Sequence, residues 1–306
     1  MTQRGYARLP VPDPESLEGH DDRTRGRGPG KGVGRMWQQA GTTVREVVRA
    51  RWGTWPPFEA RNKMMNWPAA VAAARTERDE VQRLGVGGGV PSARVVTVVA
   101  TFRRPDSLAR AVRSALDQTV EDHVVVVVDD GGGLPGLPDD DRLFAVTLST
   151  NTGRPGVVRN VGIALSSSTH LAFLDDDNTW RPHHLATALE ALDRGADLVY
   201  TSVERVRPDG TTLDVLSRPF DRRALALAPY VDTSSIVVRR GPGVRFSRLA
   251  RSSPTIPGED WELVWRLSRR LRVRHVPETT VTYLVNPDSY FTRWDDTPQP
   301  AGGVRR

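Results

Sequence analysis

The feature that most constrains this fold is a run of five consecutive valines, Val124 to Val128, which is followed at once by two aspartates. A strand without polar alternation is buried on both faces, which is typical of a parallel sheet covered by helices. Segments of helical periodicity separate it from other apolar runs. The predicted strands are Val95–Thr101, Val124–Val128, Leu143–Leu148, Leu171–Leu174 and Asp197–Val203, and the predicted helices are Asp106–Gln118, Gly156–Leu165 and Pro182–Leu192. This alternation predicts an α/β fold with an open, Rossmann-like, mostly parallel sheet and helices on both faces.

The second half of the chain is less regular. Arg207-Pro-Asp-Gly210 predicts a hairpin turn between strands at Leu198–Val206 and Thr211–Leu216. Trp261–Leu271 has the apolar spacing of an amphipathic helix. Further strands are predicted at Ser234–Arg239, Val273–Val276 and Val281–Val285.

The segment before the sheet differs in composition. Residues 1–35 combine Pro, Gly and alternating charge with few large apolar residues, so we predict a disordered basic tail. For residues 36–93 the pattern predicts a helical extension, with helices at Met36–Trp52 and Ala69–Leu84, a turn at Trp55-Pro-Pro, and a Gly-rich linker. We expect these helices to dock on the following domain; oligomerisation and contact with a membrane surface are the alternatives. The domain itself spans residues 94–290, and residues 291–306 are a tail.

Charge and cysteine content narrow the function. Residues 1–93 contain 15 Lys and Arg against 10 Asp and Glu, whereas the remainder contains 28 and 27, so the basic excess belongs to the extension. Without interleaved aromatic residues, this excess does not predict nucleic-acid binding. No cysteine is present, which excludes disulfides and thiolate metal sites. No apolar run approaches the ~20 residues of a membrane span, so we expect a cytoplasmic protein, with peripheral membrane contact through the extension left open.

Two acidic clusters follow predicted strands. Asp129 and Asp130 end the valine run, and Asp175-Asp176-Asp177 ends the strand at Leu171–Leu174. Ligands of open α/β sheets bind beyond the carboxyl ends of the strands. A single aspartate there is often only a cap or a turn residue, but three adjacent carboxylates repel one another unless a cation or donors compensate. Oxygen ligands of this kind favour Mg²⁺ or Mn²⁺.

Asp175-x-Asp177 resembles the DxD motif of GT-A glycosyltransferases, and further segments resemble family 2 of these enzymes in the family's order. The nearest subgroup is the spore-coat polysaccharide synthesis type, whose D-D-N triplet resembles Asp176-Asp177-Asn178. The resembling segments are Val95–Pro105, Ser114-Ala-Leu-Asp-Gln-Thr119, Val127-Val-Asp-Asp-Gly131, Asn151-Thr-Gly153 with Arg159-Asn-Val-Gly162, and Gly258-Glu-Asp260. The resemblance covers about residues 94–290.

The resemblance implies an inverting, metal-dependent transfer of a sugar from a nucleoside-diphosphate-sugar to an acceptor hydroxyl. A UDP- or dTDP-sugar is the favoured donor, and the resemblance does not identify the acceptor. It implies that Asp177 and Asp175 hold Mn²⁺ or Mg²⁺, and that Asp260 is the catalytic base, with Glu259 as its nearest substitute. The residues that the resemblance assigns to the nucleotide-sugar are Ala100, Thr101, Phe102, Arg104, Asp129, Asp130, Arg154, Arg159, Asp175 and Asp176. Phe102 would stack on the base, Asp129 and Asp130 would contact base and ribose, and the two later arginines would neutralise phosphate.

Some residues depart from the family pattern. Ala100 stands where Pro is frequent, Gly132 replaces the usual Ser, and Asn286 stands near the position where many members have a metal-binding His. We expect His183 and His184, at a helix start, to be exposed or structural, His275 to be structural, and Trp261 and Trp265 to belong to the core.

Two other functions share parts of this pattern. A non-catalytic relative would bind nucleotide-sugar without transferring it. A sugar-1-phosphate nucleotidyltransferase would need a Gly-rich loop and an activating Lys, but the two lysines of the chain, Lys31 and Lys63, lie outside the domain.

Overall fold

A computed structural model describes residues 55–85, 89–226, 229–249 and 258–285, with side chains from residue 64 onward. All of these residues fall within one unit, Val47–Arg306. The predictions for residues 1–35, for the helix at 36–52, for Asn286 and for the tail at 291–306 lie outside the described residues.

One sheet organises the described part of the chain, in the strand order β3-β2-β1-β4-β8-β6-β9-β5, with β7 paired to β6. The strands are β1 (Val95–Thr101), β2 (His123–Asp129), β3 (Leu143–Thr147), β4 (His170–Asp175), β5 (Asn178–Trp180), β6 (Leu198–Val206), β7 (Thr212–Leu216), β8 (Ile236–Arg239) and β9 (Val273–Leu284). The helices are α1 (Trp55–Gly85), α2 (Pro105–Leu116), α3 (Pro155–Leu165), α4 (His184–Asp193), α5 (Arg222–Leu225) and α6 (Glu259–Leu267), and a 3₁₀ turn covers Thr233–Ser235.

The sheet is parallel in one half and mixed in the other. Strands β3, β2, β1 and β4 are parallel, as their mainly apolar sequences predict. Strand β8 then pairs antiparallel with both β4 and β6, and β9 pairs parallel with β6 and antiparallel with β5. The α/β fold with helices on both faces is confirmed, whereas the expectation of a mostly parallel sheet holds only for the first half.

Strand β9 corrects a second expectation, because the predicted strands at Val273–Val276 and Val281–Val285 form one strand. The register of β9 against β6 shifts twice, between Thr201 and Val203. These irregularities take up extra residues around Pro277, which a regular ladder could not pair because proline lacks an N–H.

The core has two layers, one on each face of the sheet. Alternate side chains of β1 serve opposite layers: Val96 and Val98 pack with α3 and α6, whereas Val95 and Val99 pack with α2 and α4. This is the side-chain alternation of any strand, and burial on both faces explains why these positions are all apolar.

Helix α1 packs on α3, as docking predicts. The carboxylate of Glu77 accepts hydrogen bonds from the Asn160 amide of α3, at 3.1 Å, and from Arg248 Nε, at 2.6 Å. Glu80 accepts from the backbone N–H of Ser149 at 3.2 Å. The turn predicted at Trp55-Pro-Pro is instead the first turn of the helix, a position that tolerates proline because its N–H has no intrahelical partner. No helix of the described part of the chain is long and apolar enough to cross a membrane.

Close packing of α3 gives a stability prediction. A Cβ added to Gly156 would lie 2.6 Å from the carbonyl oxygen of Ser247, which is backbone and cannot rotate away. We expect Gly156→Ala to lower the free energy of unfolding by about 1–3 kcal/mol, the usual range for overpacking, as measured by urea denaturation. Gly136→Ala is the control, because nothing lies within 4 Å of a Cβ there. Equal stability of the two variants would contradict this packing.

Candidate functional site

The candidate site lies where β1, β2 and β4 end. In the parallel register Thr101 is opposite Asp129, and Ala100 is opposite Asp175. The two acidic clusters therefore stand on either side of the β1 end, at one edge of the sheet, as the sequence predicts.

The carboxylates at the end of β2 accept hydrogen bonds from backbone N–H groups. Asp129 is fully buried, and its Oδ2 accepts hydrogen bonds from the N–H groups of Gly132, at 2.9 Å, and Gly133, at 2.7 Å. Asp130 accepts from the N–H groups of Thr152, at 2.8 Å, and Gly153, at 2.9 Å, and burial raises its pKa. In this structure both residues shape the loops around the site; their predicted contacts with base and ribose stay a prediction.

The loop after β1 presents an aromatic ring. Phe102 is 39% exposed, and the Arg103 guanidinium lies 5.0 Å from its ring centroid. Arg103 adopts a left-handed backbone conformation, with φ of 55°. A Cβ at Gly132 would lie 2.9 Å from Arg103 Cγ. The glycine that departs from the family pattern thus makes room for this arginine.

Two members of the acidic triplet share one cation. Asp176 is buried, accepts a hydrogen bond from Thr101 Oγ1 at 2.8 Å, and pairs with Arg104 Nη1 at 3.1 Å. The same Arg104 nitrogen lies 2.6 Å from Asp177 Oδ2. Burial raises the pKa of Asp176 to about 6, and burial together with repulsion from Asp175 raises that of Asp177.

Arg159 connects the triplet to the Glu-Asp motif. Its side chain is almost fully buried, with Nη2 2.6 Å from Asp175 Oδ1 and Nη1 3.0 Å from Glu259 Oε1. Burial alone would lower the pKa of Arg159, but Asp175 and Glu259 outweigh burial and raise it. The predicted phosphate ligand is therefore, in this structure, the bridge between two acidic segments.

Arg154, the other arginine predicted to bind phosphate, also binds protein groups. Its Nη1 donates to the carbonyl oxygens of Ala69, at 3.1 Å, and Arg248, at 2.9 Å. The side chain thus links the start of α3 to α1 and to the segment that leads toward α6.

The Glu-Asp motif forms the first turn of α6. The N-cap residue is Gly258, so Asp260 lies within the first turn of the helix and does not cap it. Asp260 Oδ1 accepts from the N–H of Trp261 at 2.7 Å. Burial, followed by repulsion from Glu259, raises the pKa of Asp260 to about 6. The two neighbours therefore differ, because Glu259 is engaged with Arg159 and Asp260 accepts a backbone N–H.

Sequence reasoning missed the turn between Asp232 and Ser235. Ser234 Oγ accepts from the Asn178 amide, at 2.8 Å, and from the N–H of Asp175, at 3.2 Å, so the turn supports the triplet. Asp232 accepts from the N–H of Ser234 at 2.8 Å, and burial with repulsion from Asp175 raises its pKa to about 8. An Asp two residues before a Ser is a local capping signal, but its position beside the triplet depends on the pairing of β8 with β4.

The histidines and tryptophans named from the sequence have structural roles. His184 is structural, one of the two outcomes expected for it: the side chain is fully buried, its Nδ1 lies 2.7 Å from Thr280 Oγ1, and burial lowers its pKa to about 3. His183 is half-buried, and its Nε2 lies 3.1 Å from Glu278 Oε1. His275 lies against the ring of Tyr200. Trp265 is buried, and Trp261 packs against the core and donates its Nε1 hydrogen to the carbonyl of Leu225.

The described part of the site is strongly acidic. Two guanidinium groups, Arg104 and Arg159, face six carboxylates, which leaves a formal excess of four negative charges when all are ionised. The six carboxylates are Asp175, Asp176, Asp177, Asp232, Glu259 and Asp260. Within the residues that the structure covers, no three acidic or imidazole side chains are placed to hold a metal ion without further ligands.

Comparison with known proteins identifies the domain's relatives. Residues 96–245 match the family model described as Glycosyl transferase family 2, a range that ends before the Glu-Asp motif. The chain is 34% identical over 149 residues to succinoglycan biosynthesis protein ExoO of Rhizobium meliloti, which is 47% of this chain and 41% of that protein. It is 23% identical over 203 residues to UDP-Glc:alpha-D-GlcNAc-diphosphoundecaprenol beta-1,3-glucosyltransferase WfaP of Escherichia coli, covering 64% of this chain and 78% of WfaP. The chain thus spans less than half the length of ExoO.

Among solved structures, S. aureus TarS 1-349 in complex with UDP-GlcNAc superposes with a TM-score of 0.52 at 17% identity, over 65% of this chain and 60% of that one. The likeness confirms the predicted GT-A fold. The family match also favours glycosyl transfer over the nucleotidyltransferase alternative.

The raised pKa of Asp232 gives a pH prediction. The carboxyl binds its proton more tightly in the folded chain than in the unfolded chain, where its pKa has the ordinary value of 3.8. The stability that the bound proton contributes is therefore lost as pH rises toward about 8. Asp232→Asn keeps the acceptor for Ser234 but cannot ionise. We expect it to raise the free energy of unfolding at pH 8 by at least ~1 kcal/mol, the equivalent of less than one pKa unit, and to have less effect at pH 5.

The measurement is urea denaturation at both pH values in metal-free buffer. Asp209→Asn is the control, because hydrogen bonds from Thr211 lower the pKa of Asp209 and its loss should not stabilise the chain at pH 8. If Asp232→Asn is no more stable than the unmodified chain at pH 8, the carboxyl is not strained by its surroundings.

Proposed function

We propose that this chain, whose residues 96–245 belong to glycosyl transferase family 2, is an inverting glycosyltransferase that moves a sugar from a nucleoside-diphosphate-sugar to an acceptor hydroxyl. The observation that carries the proposal is the bridge of Arg159, which pairs with Asp175 and with Glu259. This bridge brings the candidate metal-binding motif, Asp175-x-Asp177, and the Glu-Asp motif with the candidate base to one edge of the sheet.

A UDP- or dTDP-sugar is the favoured donor. TarS, which has the same fold, was solved with UDP-GlcNAc. In this chain the exposed ring of Phe102 offers a surface on which a base can stack. Asp129 and Asp130 hold the neighbouring loops through backbone N–H groups and thereby fix the shape of those loops.

Asp175 and Asp177 fit a divalent cation. They supply oxygen atoms, the ligands that Mg²⁺ and Mn²⁺ prefer, in surroundings with excess negative charge. Since no third protein ligand is placed with them among the described residues, the remaining ligands would be phosphate oxygens and water. When bound, the metal would neutralise charge that develops on the departing nucleoside diphosphate.

Asp260 is the proposed base. Its pKa of about 6 leaves it ionised at neutral pH yet able to take a proton from an acceptor hydroxyl. The deprotonated oxygen would attack the anomeric carbon from the face opposite the leaving diphosphate, which inverts that carbon. Glu259 is the weaker candidate because Arg159 binds its carboxylate.

The acceptor is proposed to be a sugar hydroxyl of a growing polysaccharide or glycoconjugate. ExoO takes part in succinoglycan biosynthesis, and WfaP glucosylates a diphosphoundecaprenol-linked sugar. A lipid-linked acceptor would bring the reaction to a membrane surface.

The metal prediction concerns nucleotide binding. We expect UDP to bind in the presence of Mn²⁺ and to bind at least about tenfold more weakly, or 1.4 kcal/mol, when EDTA replaces the metal. Asp177→Ala should lose the same Mn²⁺-dependent increment, because a carboxylate ligand is gone. Isothermal titration calorimetry measures both effects, with Asp209→Asn, in a distant turn, as the control. Equally tight binding in EDTA would rule out a metal-dependent site.

The base prediction separates two neighbouring acids. Asp260→Asn keeps the acceptor for the N–H of Trp261 but cannot take a proton. We expect normal folding and donor binding with a loss of about two to four orders of magnitude in transfer rate, whereas Glu259→Gln should be milder. With Asp260 present, kcat/KM should rise through about pH 6 as the carboxyl ionises and then level off.

Transfer assays with UDP-sugars and a soluble sugar acceptor measure these rates between pH 5 and pH 8. If Glu259→Gln abolishes transfer while Asp260→Asn retains it, the base is the other residue. If both variants retain transfer, the motif is not catalytic.

A further inference from the structure

Helix α1 carries an unusual apolar surface near its beginning. Met64, Met65 and Trp67 are 75%, 63% and 66% exposed. The other large apolar side chains that stand out in the described part of the chain, Phe102 and Val215, are isolated and less exposed, at 39% and 44%. We call Met64, Met65 and Trp67 the outer patch. Contiguous exposed apolar surface of this kind marks contact with a partner or a membrane.

Helical geometry puts the outer patch on one side of α1. At 100° per residue, Met64, Met65 and Trp67 lie within an arc of about 160°. The opposite side of the helix contains the buried residues Ala73 and Glu80, and it faces α3. The outer patch therefore points away from the domain on which α1 packs.

Basic residues continue the same side of the helix. Arg75 and Arg78 are exposed and fall, at 100° per residue, within the arc of the outer patch, together with Asp79. In sequence, the 28 residues before the patch, 36–63, add five Lys and Arg against two Glu, and three tryptophans. The three apolar side chains of the outer patch, followed on the same side by cationic residues of a helix too polar to span a membrane, suit the interface of an anionic lipid surface.

The outer patch also lies close to the candidate site. Met65 is four residues before Ala69, or about 6 Å along the helix, and the Ala69 carbonyl accepts a hydrogen bond from Arg154 at the start of α3. Five residues further along, Arg159 of α3 binds Asp175 and Glu259. The beginning of α1, which carries the outer patch, therefore lies next to the end of α3 that leads to the candidate site.

We propose that the outer patch, with Arg75 and Arg78, docks this chain on an anionic phospholipid surface. Met64, Met65 and Trp67 enter the boundary between headgroups and acyl chains, and the two arginines contact lipid phosphates. The proposed function supplies a reason for this placement, since a lipid-linked acceptor is presented at that surface, but lipid binding itself does not depend on catalysis.

The test is co-sedimentation of the full chain with vesicles of phosphatidylglycerol and phosphatidylcholine in equal parts, and with phosphatidylcholine alone. We expect binding to the anionic vesicles and at least tenfold weaker partitioning of the triple variant Met64→Ser, Met65→Ser, Trp67→Ser. Val215→Ser is the matched control, because it removes an exposed apolar side chain from β7 instead. The double variant Arg75→Glu, Arg78→Glu should lose the preference for anionic vesicles.

Thermal unfolding and size-exclusion chromatography with light scattering complete the test. The triple variant should keep the melting temperature of the unmodified chain, because the three side chains are exposed. The proposal is overturned if the unmodified chain stays in the supernatant with both kinds of vesicle. It is also overturned if the triple variant sediments with the anionic vesicles to the same extent as the unmodified chain. A dimer that the triple variant converts to monomer, without lipid binding, would assign the outer patch to a second copy of the chain.

Discussion

The two ion pairs of Arg159 are the contacts on which the site depends. They join Asp175, at the end of β4, to Glu259, at the start of α6 and 100 residues away from Arg159 in sequence. A buried guanidinium loses its hydration, so it is stable only when carboxylates surround it. Removing either acid would leave a buried charge partly unpaired, which is costlier than losing a surface ion pair. Arg159 therefore positions the Glu-Asp motif as much as the helix that contains it does.

The crowding of negative charge explains how carboxylates at this edge of the sheet can bind a cation or accept a proton. Asp175, Asp177, Asp232 and Asp260 act on one another through a poorly hydrated region, and the pKa values of the last three are raised by burial and by neighbouring carboxylates. Each raised pKa represents free energy that the folded chain would recover if the negative charge were reduced. A cation, a proton from an acceptor or a set of hydrogen-bond donors would each do so.

Local patterns predicted the parts of the fold that local physics decides. The bounds of β1 agree with the predicted apolar run, and the acidic clusters lie at the predicted edge because parallel strands end together.

Long-range pairing decided what the sequence did not reveal. The insertion of β8 between β4 and β6 reverses the strand direction and brings Asp232 beside the triplet. His184 is buried against Thr280 of β9, a contact that helical periodicity cannot show. Phosphate binding by Arg154 and Arg159 stays a prediction, and the sequence did not show that their partners include groups on α1, on α6 and in the segment near Arg248.

The different roles of Glu259 and Asp260 follow from their position on one helix. Successive residues of a helix point about 100° apart, so only Glu259 is directed at Arg159 Nη1, and Asp260 is left to accept the N–H of Trp261. The positive end of the helix dipole and that N–H both favour an ionised Asp260, whereas burial and the neighbouring Glu259 favour a protonated one. Burial and the repulsion from Glu259 outweigh the two stabilising effects and raise the pKa of Asp260 to about 6. Arg159 also limits this rise, since its charge lowers the pKa of Asp260. The guanidinium that pairs with one acid therefore helps to keep the other ionised at neutral pH.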